Sequence, residues 1–270
     1  MKNSIFYFSF ILLISCSKSI KIIDKPVVFD EQRKELTLEY LSERYGLVQD
    51  EPTITPKMIV LHWTVIPTLE KSFNAFNEAT LPNWRPEIKN VSGLNVSSQF
   101  LVDQDGIIYR LLPETTMARH VIGLNHCAIG VENVGGTDEV PLTDAQLKAN
   151  IWLVNYLADK YEIDYLIGHY EYTNFEGHEL WLEVDDGYRT EKTDPGKDFL
   201  DAVKEATKAQ NFKETPKKNN LIFVFPTKVG IQLKSSLASN VFQRSGLLSF
   251  LVVVSQIFQH FSHLMLNLNR

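Results

Sequence analysis

Short apolar runs that alternate with amphipathic stretches constrain the fold of this chain more than any other feature. The run from Met58 to His62 is typical of a buried strand. In the stretch from Thr68 to Thr80, Leu69, Phe73 and Phe76 share one helical face. Because a strand that leads directly into a helix is the first half of an α/β unit, the sequence predicts an α/β fold.

The next elements extend this pattern. Runs at Gln99–Asp103 and Gly106–Leu111 flank a turn signal at Asp105-Gly106 and predict a hairpin. Buried strands are predicted from Cys127 to Glu132 and from Ile163 to Gly168. Together these elements predict a central mixed sheet with helices on both sides.

Two helices are indicated by their ends. Gly46 is expected to stop a short helix that starts near Thr37. Thr143 and Gln146 match a capping box, which begins a longer helix. The core face of that helix is predicted to hold Leu147, Ile151, Val154, Leu157 and Tyr161.

Composition allows one full-sized domain and argues against nucleic acid as a partner. A chain of 270 residues, of which 44% are hydrophobic, has enough apolar surface for one core. Residues 16–212 hold 19 basic and 32 acidic residues, a net charge of −13. Because a surface this acidic repels phosphates, we exclude DNA and RNA as partners of the main domain.

The first sixteen residues have the composition of an export signal. One lysine, a short apolar run and a small residue precede Cys16. The segment Leu13-Ile14-Ser15-Cys16 resembles the bacterial lipobox, in which the cysteine becomes the acylated first residue. This resemblance implies a lipoprotein of the bacterial cell envelope that is anchored through Cys16, with either membrane open as the anchor site. Ser17 stands where an aspartate retains some lipoproteins in the inner membrane, which favours the outer membrane and a protein that faces the periplasm. The alternative is an ordinary cleaved secretory signal that happens to contain a cysteine.

These features divide the chain into four parts. We assign residues 1–15 to a signal peptide, 16–50 to a tether and lead-in, and 51–210 to the main domain. Residues 211–270 form a basic tail, whose apolar stretch is too short to span a bilayer, since that needs about twenty residues. The tail either lies on a lipid surface, is an accessory segment, or is not native to the gene product.

Three side chains of the kinds that zinc accepts lie at or after predicted strands or near the end of the main domain. They are His62, His169 and Asp194. Three nitrogen or oxygen ligands with one open position are typical of a catalytic zinc site. Since ligands of α/β sheets usually bind at the carboxyl ends of the strands, we expect the site at that edge of the sheet. Taken alone, each histidine is more typical of a hydrogen-bonded structural residue.

Four motifs occur in an order that resembles one known family. They are Val60-Leu61-His62-Trp63-Thr64, Ala128-Ile129-Gly130-Val131-Glu132, Ile167-Gly168-His169 and Lys192-Thr193-Asp194-Pro195-Gly196. Through them, the sequence from Lys57 to Ala209 resembles the N-acetylmuramoyl-L-alanine amidase type 2 family. The resemblance implies zinc-dependent hydrolysis of the amide bond between the lactyl group of N-acetylmuramic acid and L-alanine, with peptidoglycan or muropeptides as the substrate.

The same resemblance implies roles for five residues. His62, His169 and Asp194 are expected to bind Zn²⁺, Glu132 to be the catalytic carboxylate, and Lys192 to lie at the scissile carbonyl. Amide hydrolysis requires these parts: a metal that makes water nucleophilic, a carboxylate that takes its proton, and a cation that holds the developing oxyanion.

Further residues are expected around the substrate. The resemblance implies that His120 lines the substrate groove, and Trp63 and Asn125 are candidates for its walls. The simpler alternatives are that Glu132 is a surface residue of its strand and that Lys192 is a solvated side chain.

Two departures from the family pattern affect the mechanism. Ser98-Gln99 stands where many relatives have Tyr-His, so Glu132 is expected to move the proton without help from a tyrosine. The gap between His169 and Asp194 is longer than in bacterial relatives, and its aromatic and acidic residues are predicted to form a lip over the site. His178, within that gap, is an alternative metal ligand.

Two rival functions are considered. A peptidoglycan-binding module of the same fold without activity is the first, but loss of a ligand marks that class and here all three are present. The second is a structural lipoprotein with incidental histidines, which a zinc assay would distinguish.

Overall fold

The computed structural model describes residues 20–83, 88 and 91–217. The predicted lipidation site Cys16 and residues 218–270 of the tail lie outside these ranges. At the described start of the tail, the backbone N–H of Lys213 donates to the carbonyl of Asp164 at 2.7 Å. Within the described ranges, no helix combines the length and the apolar character that crossing a membrane requires.

The described strands form one mixed sheet. In chain order they are β1 (Ile22–Asp24), β2 (Met58–Trp63), β3 (Phe100–Val102), β4 (Ile108–Arg110), β5 (Ala128–Asn133) and β6 (Tyr165–Gly168). Across the sheet the order is β1-β4-β3-β5-β2-β6, in which β3 and β4 pair antiparallel and the other neighbours pair parallel. The predicted α/β fold, its mixed sheet and its hairpin are confirmed.

The helices begin and end largely where local signals indicate. Among the described residues they include α1 (Glu31–Tyr45), α2 (Leu69–Asn77), α3 (Asp144–Lys160) and α4 (Lys197–Ala206), with short 3₁₀ helices at His169–Phe175 and Lys208–Gln210. The predicted capping box at Thr143 is present, and Gly46 ends α1 with a φ of 66°. However, α1 begins before Thr37, because the side chain of Asp30 accepts the N–H of Arg33 as an N-cap.

The buried face of α3 differs from the predicted one. Of the predicted residues, Val154 and Leu157 are buried, whereas Leu147, Ile151 and Tyr161 are only partly buried. Two polar residues lie on the buried face instead. Gln146 donates to the carbonyls of Val102 and Val134 at 3.1 and 2.9 Å, and Asn150 donates to Asn133 at 2.7 Å. The predicted apolar residues do contact the core, since the three partly buried ones pack against it, but the prediction missed the two amides because a hydrophobic pattern treats such residues as exposed.

Helix α1 packs into the main hydrophobic core. Tyr40, Leu41 and Tyr45 are each at most 5% exposed and join the core cluster of the sheet. Arg33, which is also buried, donates to the carbonyls at the end of α2, including that of Phe76 at 2.8 Å. This helix falls within the predicted tether and lead-in, residues 16–50, yet its buried side chains contribute to the same core as the strands.

Candidate active site

Parallel pairing brings the predicted site residues to one edge of the sheet. The register pairs His62 of β2 with Glu132 of β5, and Leu61 of β2 with Gly168 of β6. His169 follows directly after Gly168. The carboxyl ends of three neighbouring strands therefore deliver His62, Glu132 and His169 to the same place, which is the predicted edge.

Three donor atoms converge at this edge. Nδ1 of His62 lies 2.9 Å from Nδ1 of His169 and 3.1 Å from Oδ2 of Asp194, and Nδ1 of His169 lies 3.0 Å from the same oxygen. A tetrahedral zinc ion with bonds of about 2.0 to 2.1 Å holds its ligand atoms about 3.3 to 3.4 Å apart. The triangle needs only slight widening to reach that spacing, and its donor types are those of catalytic zinc sites. The three residues therefore fit a zinc ion.

The protonation state of this cluster suits a metal. Burial acts to raise the pKa of Asp194, but the neighbouring His169 and His62 outweigh it and hold the pKa of that carboxyl well below its usual range. Burial, together with the nearby His62, lowers the pKa of His169 to about 4. Near neutral pH, Asp194 is thus ionised and His169 is neutral, as metal ligation requires.

A cavity of about 480 Å³ opens beside the donor cluster. Its volume falls within the range of small-molecule sites, about 300 to 1,000 Å³. It is lined by seven of the residues that the sequence analysis singles out: Trp63, His120, Asn125, Glu132, His169, Lys192 and Asp194. The predicted ligands, carboxylate and cation are therefore all at or beside one concave surface.

His120 and Asn125 line this cavity and also make contacts within the protein. Nδ1 of His120 lies 3.0 Å from Nε2 of His62. Oδ1 of Asn125 accepts the backbone N–H groups of His120 and Val121, and its Nδ2 donates to the hydroxyl of Tyr45 at 2.8 Å. Both ends of the Asn125 amide are therefore engaged in holding the loop that carries His120.

Trp63 forms part of the cavity wall next to the predicted ligand His62. A Cβ atom at Gly136 would lie 2.4 Å from Cγ of Trp63. Only glycine allows this close approach, so the fold reserves space for the indole. The predicted wall position of Trp63 is consistent with this packing.

The long segment between His169 and Asp194 forms another wall. Its residues Tyr188 and Thr190 line the cavity. The hydroxyl of Tyr172 donates to the carbonyl of Thr190 at 2.7 Å, and the segment is tied to α1 by a salt bridge between Glu183 and Arg44. The predicted lip is therefore a packed wall that the N-terminal helix supports.

His178 of the same segment lies apart from the donor cluster. Its Nδ1 accepts the N–H of Leu180 at 3.2 Å, and its Nε2 lies 3.3 Å from the hydroxyl of Tyr165. Among the described residues, the group that could hold a metal consists of His62, His169 and Asp194. The geometry gives no support to His178 as a replacement ligand.

Sequence reasoning missed several residues of the cavity. Tyr40 of α1, Val65 and Arg119 line it beside Tyr188 of the predicted lip. The guanidinium of Arg119 lies 5.2 Å from the ring centroid of Tyr40 and donates to the hydroxyl of Tyr188 at 3.3 Å. The signal for Arg119 was its position next to His120, whereas Tyr40 comes from the lead-in, outside the four motifs.

Solved structures similar to this chain include N-acetylmuramoyl-L-alanine amidases and peptidoglycan recognition proteins. N-acetylmuramoyl-L-alanine amidase LysC from Clostridium intestinale is 22% identical, with 72% of this chain and 100% of that chain covered and a TM-score of 0.44. The human protein PGRP-IBETAC, in complex with glycosamyl muramyl pentapeptide, is 19% identical over 57% and 85%, with a TM-score of 0.40. An AmpD derivative is 25% identical over 55% and 84%, with a TM-score of 0.37. Similarities at this level do not by themselves assign a function.

A family-level match identifies the chain. No protein of curated function matches it. The sequence model of the family described as N-acetylmuramoyl-L-alanine amidase matches residues 52–197, which is more than half of the chain. The matched range contains the three donor residues together with Glu132 and Lys192. The chain therefore belongs to the N-acetylmuramoyl-L-alanine amidase family, as its four motifs predicted.

Proposed function

We propose that this protein is a zinc-dependent enzyme that hydrolyses the amide bond between the lactyl group of N-acetylmuramic acid and L-alanine, in peptidoglycan or muropeptides. The observation that carries the proposal is the convergence of the donor atoms of His62, His169 and Asp194, at 2.9 to 3.1 Å, beside a cavity that also holds Glu132 and Lys192. Family membership supports the amidase reaction.

The donor cluster provides the starting point of the mechanism. His62, His169 and Asp194 would hold zinc, which, when bound, acts as a Lewis acid and makes water nucleophilic near neutral pH. Glu132 lines the cavity and is the register partner of His62, so its carboxylate lies on the strand next to a ligand. In the proposed mechanism, Glu132 takes the proton of the attacking water and delivers it to the leaving nitrogen of L-alanine.

Lys192 complements the negative charge that develops on the carbonyl oxygen. It lines the same cavity, and its charge is one of the influences that lower the pKa of His169, after burial and His62. A cation beside the carbonyl oxygen stabilises the tetrahedral transition state more than the uncharged ground state. Trp63 adds an apolar wall against which the substrate can pack.

Mass spectrometry of muropeptides before and after incubation with the purified protein tests the proposal. We expect free stem peptides that begin with L-alanine, together with glycan fragments that have lost their peptides. A chelator should stop this release, and added zinc should restore it. If zinc-loaded protein binds muropeptides but leaves them intact, the chain is the non-catalytic binding module and the proposed function is wrong.

The membrane location is a separate proposal, supported by the lipobox-like sequence that ends at Cys16. A lipid on Cys16 would hold the enzyme on the outer membrane, facing the periplasm, where its substrate lies. Fractionation of cells that produce Cys16→Ala tests it. The variant should move to the soluble fraction with its hydrolase activity retained, and a variant that stays on the membrane would contradict lipidation as the anchor.

A further inference from the structure

We infer that His120 is a positioning residue that holds His62 in the tautomer whose Nδ1 carries a lone pair towards the metal. This inference rests on the proposed zinc site but assigns a role beyond it. It differs from the expected substrate contact of His120, because His120 acts here through His62 and not through the substrate.

The hydrogen bonds of His120 determine which of its two ring nitrogens donates and which one accepts. Nε2 of His120 lies 3.3 Å from the backbone carbonyl oxygen of Ala128, which can only accept, so this nitrogen carries the hydrogen. In a neutral imidazole the other nitrogen, Nδ1, must then be an acceptor. Nδ1 of His120 lies 3.0 Å from Nε2 of His62, which therefore donates.

The consequence for His62 is a fixed tautomer. With its hydrogen on Nε2, the ring leaves Nδ1 free to bind a metal, and Nδ1 is the atom that lies 2.9 Å from His169 and 3.1 Å from Asp194. His62 is 1% exposed, so water does not compete for Nε2. Outer hydrogen bonds of this kind fix the orientation and raise the basicity of ligating imidazoles.

The fold provides a packing position for the ring of His120 against β5. A Cβ atom at Gly130 would lie 2.8 Å from Cγ of His120, so the absence of a side chain there lets the ring lie against β5. The rings of His62 and His120 are perpendicular, with centroids 5.1 Å apart. Asn125 fixes the backbone of His120 by accepting its N–H at 2.8 Å.

The second imidazole ligand lacks such a support among the residues that the structure describes. Nε2 of His169 is buried without a hydrogen-bond partner there, and its ring instead meets the edge of Tyr172, with centroids 5.6 Å apart. The chain thus orients one histidine by a hydrogen-bond relay and the other by packing alone. Loss of the relay should therefore act through His62.

Zinc affinity in competition with a chromophoric chelator tests the inference. His120→Leu fills similar space but removes the acceptor, and we expect its zinc Kd to rise roughly 10- to 100-fold. His120→Asn offers an Oδ1 near the position of Nδ1, and it should restore most of the affinity. The visible absorption spectrum of the Co²⁺-substituted protein, which reports ligand geometry, should change in His120→Leu and stay near wild type in His120→Asn.

A second variant tests the same relay without altering His120. Gly130→Ala places a methyl group against the ring, and we expect it to weaken zinc binding and alter the Co²⁺ spectrum in the same direction as His120→Leu. This variant also keeps the test valid if His120→Leu does not fold.

The outcomes separate the inference from the proposed function. Wild-type protein that binds no zinc would overturn the proposed function. Wild-type protein that binds zinc, with His120→Leu binding it equally well, would overturn the inference alone. Equal losses in His120→Leu and His120→Asn would also overturn it, because the acceptor would then be irrelevant.

Discussion

Two buried carboxylates of this protein have opposite surroundings. Glu114 is 4% exposed and Asp194 is 7% exposed. Glu114 accepts hydrogen bonds from four side chains: Lys160 at 2.6 Å, Tyr161 at 2.8 Å, Tyr156 at 3.1 Å and Arg110 at 3.3 Å. Oδ2 of Asp194 instead faces the Nδ1 atoms of two histidines.

The difference distinguishes a carboxylate that stabilises the fold from one that can bind a metal. Burial acts to raise the pKa of Glu114, but the hydrogen bonds from Lys160 and Tyr161 hold it below the ordinary value. The charge of Glu114 is thus neutralised within the chain. At Asp194, two nitrogens and an oxygen bring lone pairs together, an arrangement that a cation stabilises.

The largest expected effect is that of Asp194→Asn. The amide keeps the shape of the side chain but is neutral and a poorer ligand, so two ligands alone remain of the three. We expect most of the bound zinc to be lost and hydrolysis to fall by about 10³-fold or more. Elemental analysis and muropeptide turnover measure this. Glu114→Gln is the matched control and should keep its zinc, and an Asp194→Asn protein with full zinc content would contradict the ligand assignment.

Glu132→Gln should separate proton transfer from metal binding. Glutamine cannot hold the proton of the attacking water, so we expect kcat to fall by about 10² to 10⁴ while zinc content and fold are retained. Muropeptide binding should change much less, which can be measured by calorimetry. Near-normal kcat would mean that another group moves the proton.

Glu114→Gln should affect stability instead of activity. The amide NH₂ group would face side chains that are themselves donors, and Lys160 would lose its charge partner. We expect the free energy of unfolding to fall by about 3 kcal/mol, with zinc binding unchanged. Urea unfolding measures this. Glu205→Gln is the control, since its ion pair with Lys208 is more than 70% exposed on both sides and should contribute little to stability. If Glu114→Gln and Glu205→Gln lower the free energy of unfolding equally, Glu114 does not stabilise the fold more than an exposed ion pair does.

The sequence predicted those parts of the fold and the site that have local signals. Short apolar runs predicted β2, β5 and β6. The Asp105-Gly106 turn predicted the hairpin, and Thr143 predicted the start of α3. Motifs predicted which residues converge at the sheet edge, because parallel strands that end together bring their next residues together.

The rest depends on contacts between distant segments, which leave no periodic pattern. The partners of Glu114 on α3 and at its end lie 42 to 47 positions away, and Arg44 and Glu183 are 139 positions apart. The relay from His62 to His120 spans 58 positions. A hydrogen bond of this kind requires the folded geometry, and the residue types alone do not indicate it.

His126 extends the comparison to a partly buried titratable group, which has no counter-charge beside it among the described residues, and it gives the smallest predicted effect. Its ring meets the edge of Tyr45, with centroids 5.4 Å apart, and its Nδ1 has no hydrogen-bond partner among the described residues. Burial lowers the pKa of His126 from 6.5 to about 4. Between these values the unfolded chain binds a proton that the folded protein excludes, so the free energy of unfolding falls as the pH falls. From pH 7.5 to 5 this loss is about 2 kcal/mol.

Urea unfolding of metal-free protein at both pH values measures this loss of stability, with His126→Phe as the control that keeps the aromatic contact. All other ionisable groups are common to the two proteins, so their contribution cancels in the difference. The variant should lose about 2 kcal/mol less than wild type on acidification, and equal losses would mean that His126 is protonated without cost in the folded state.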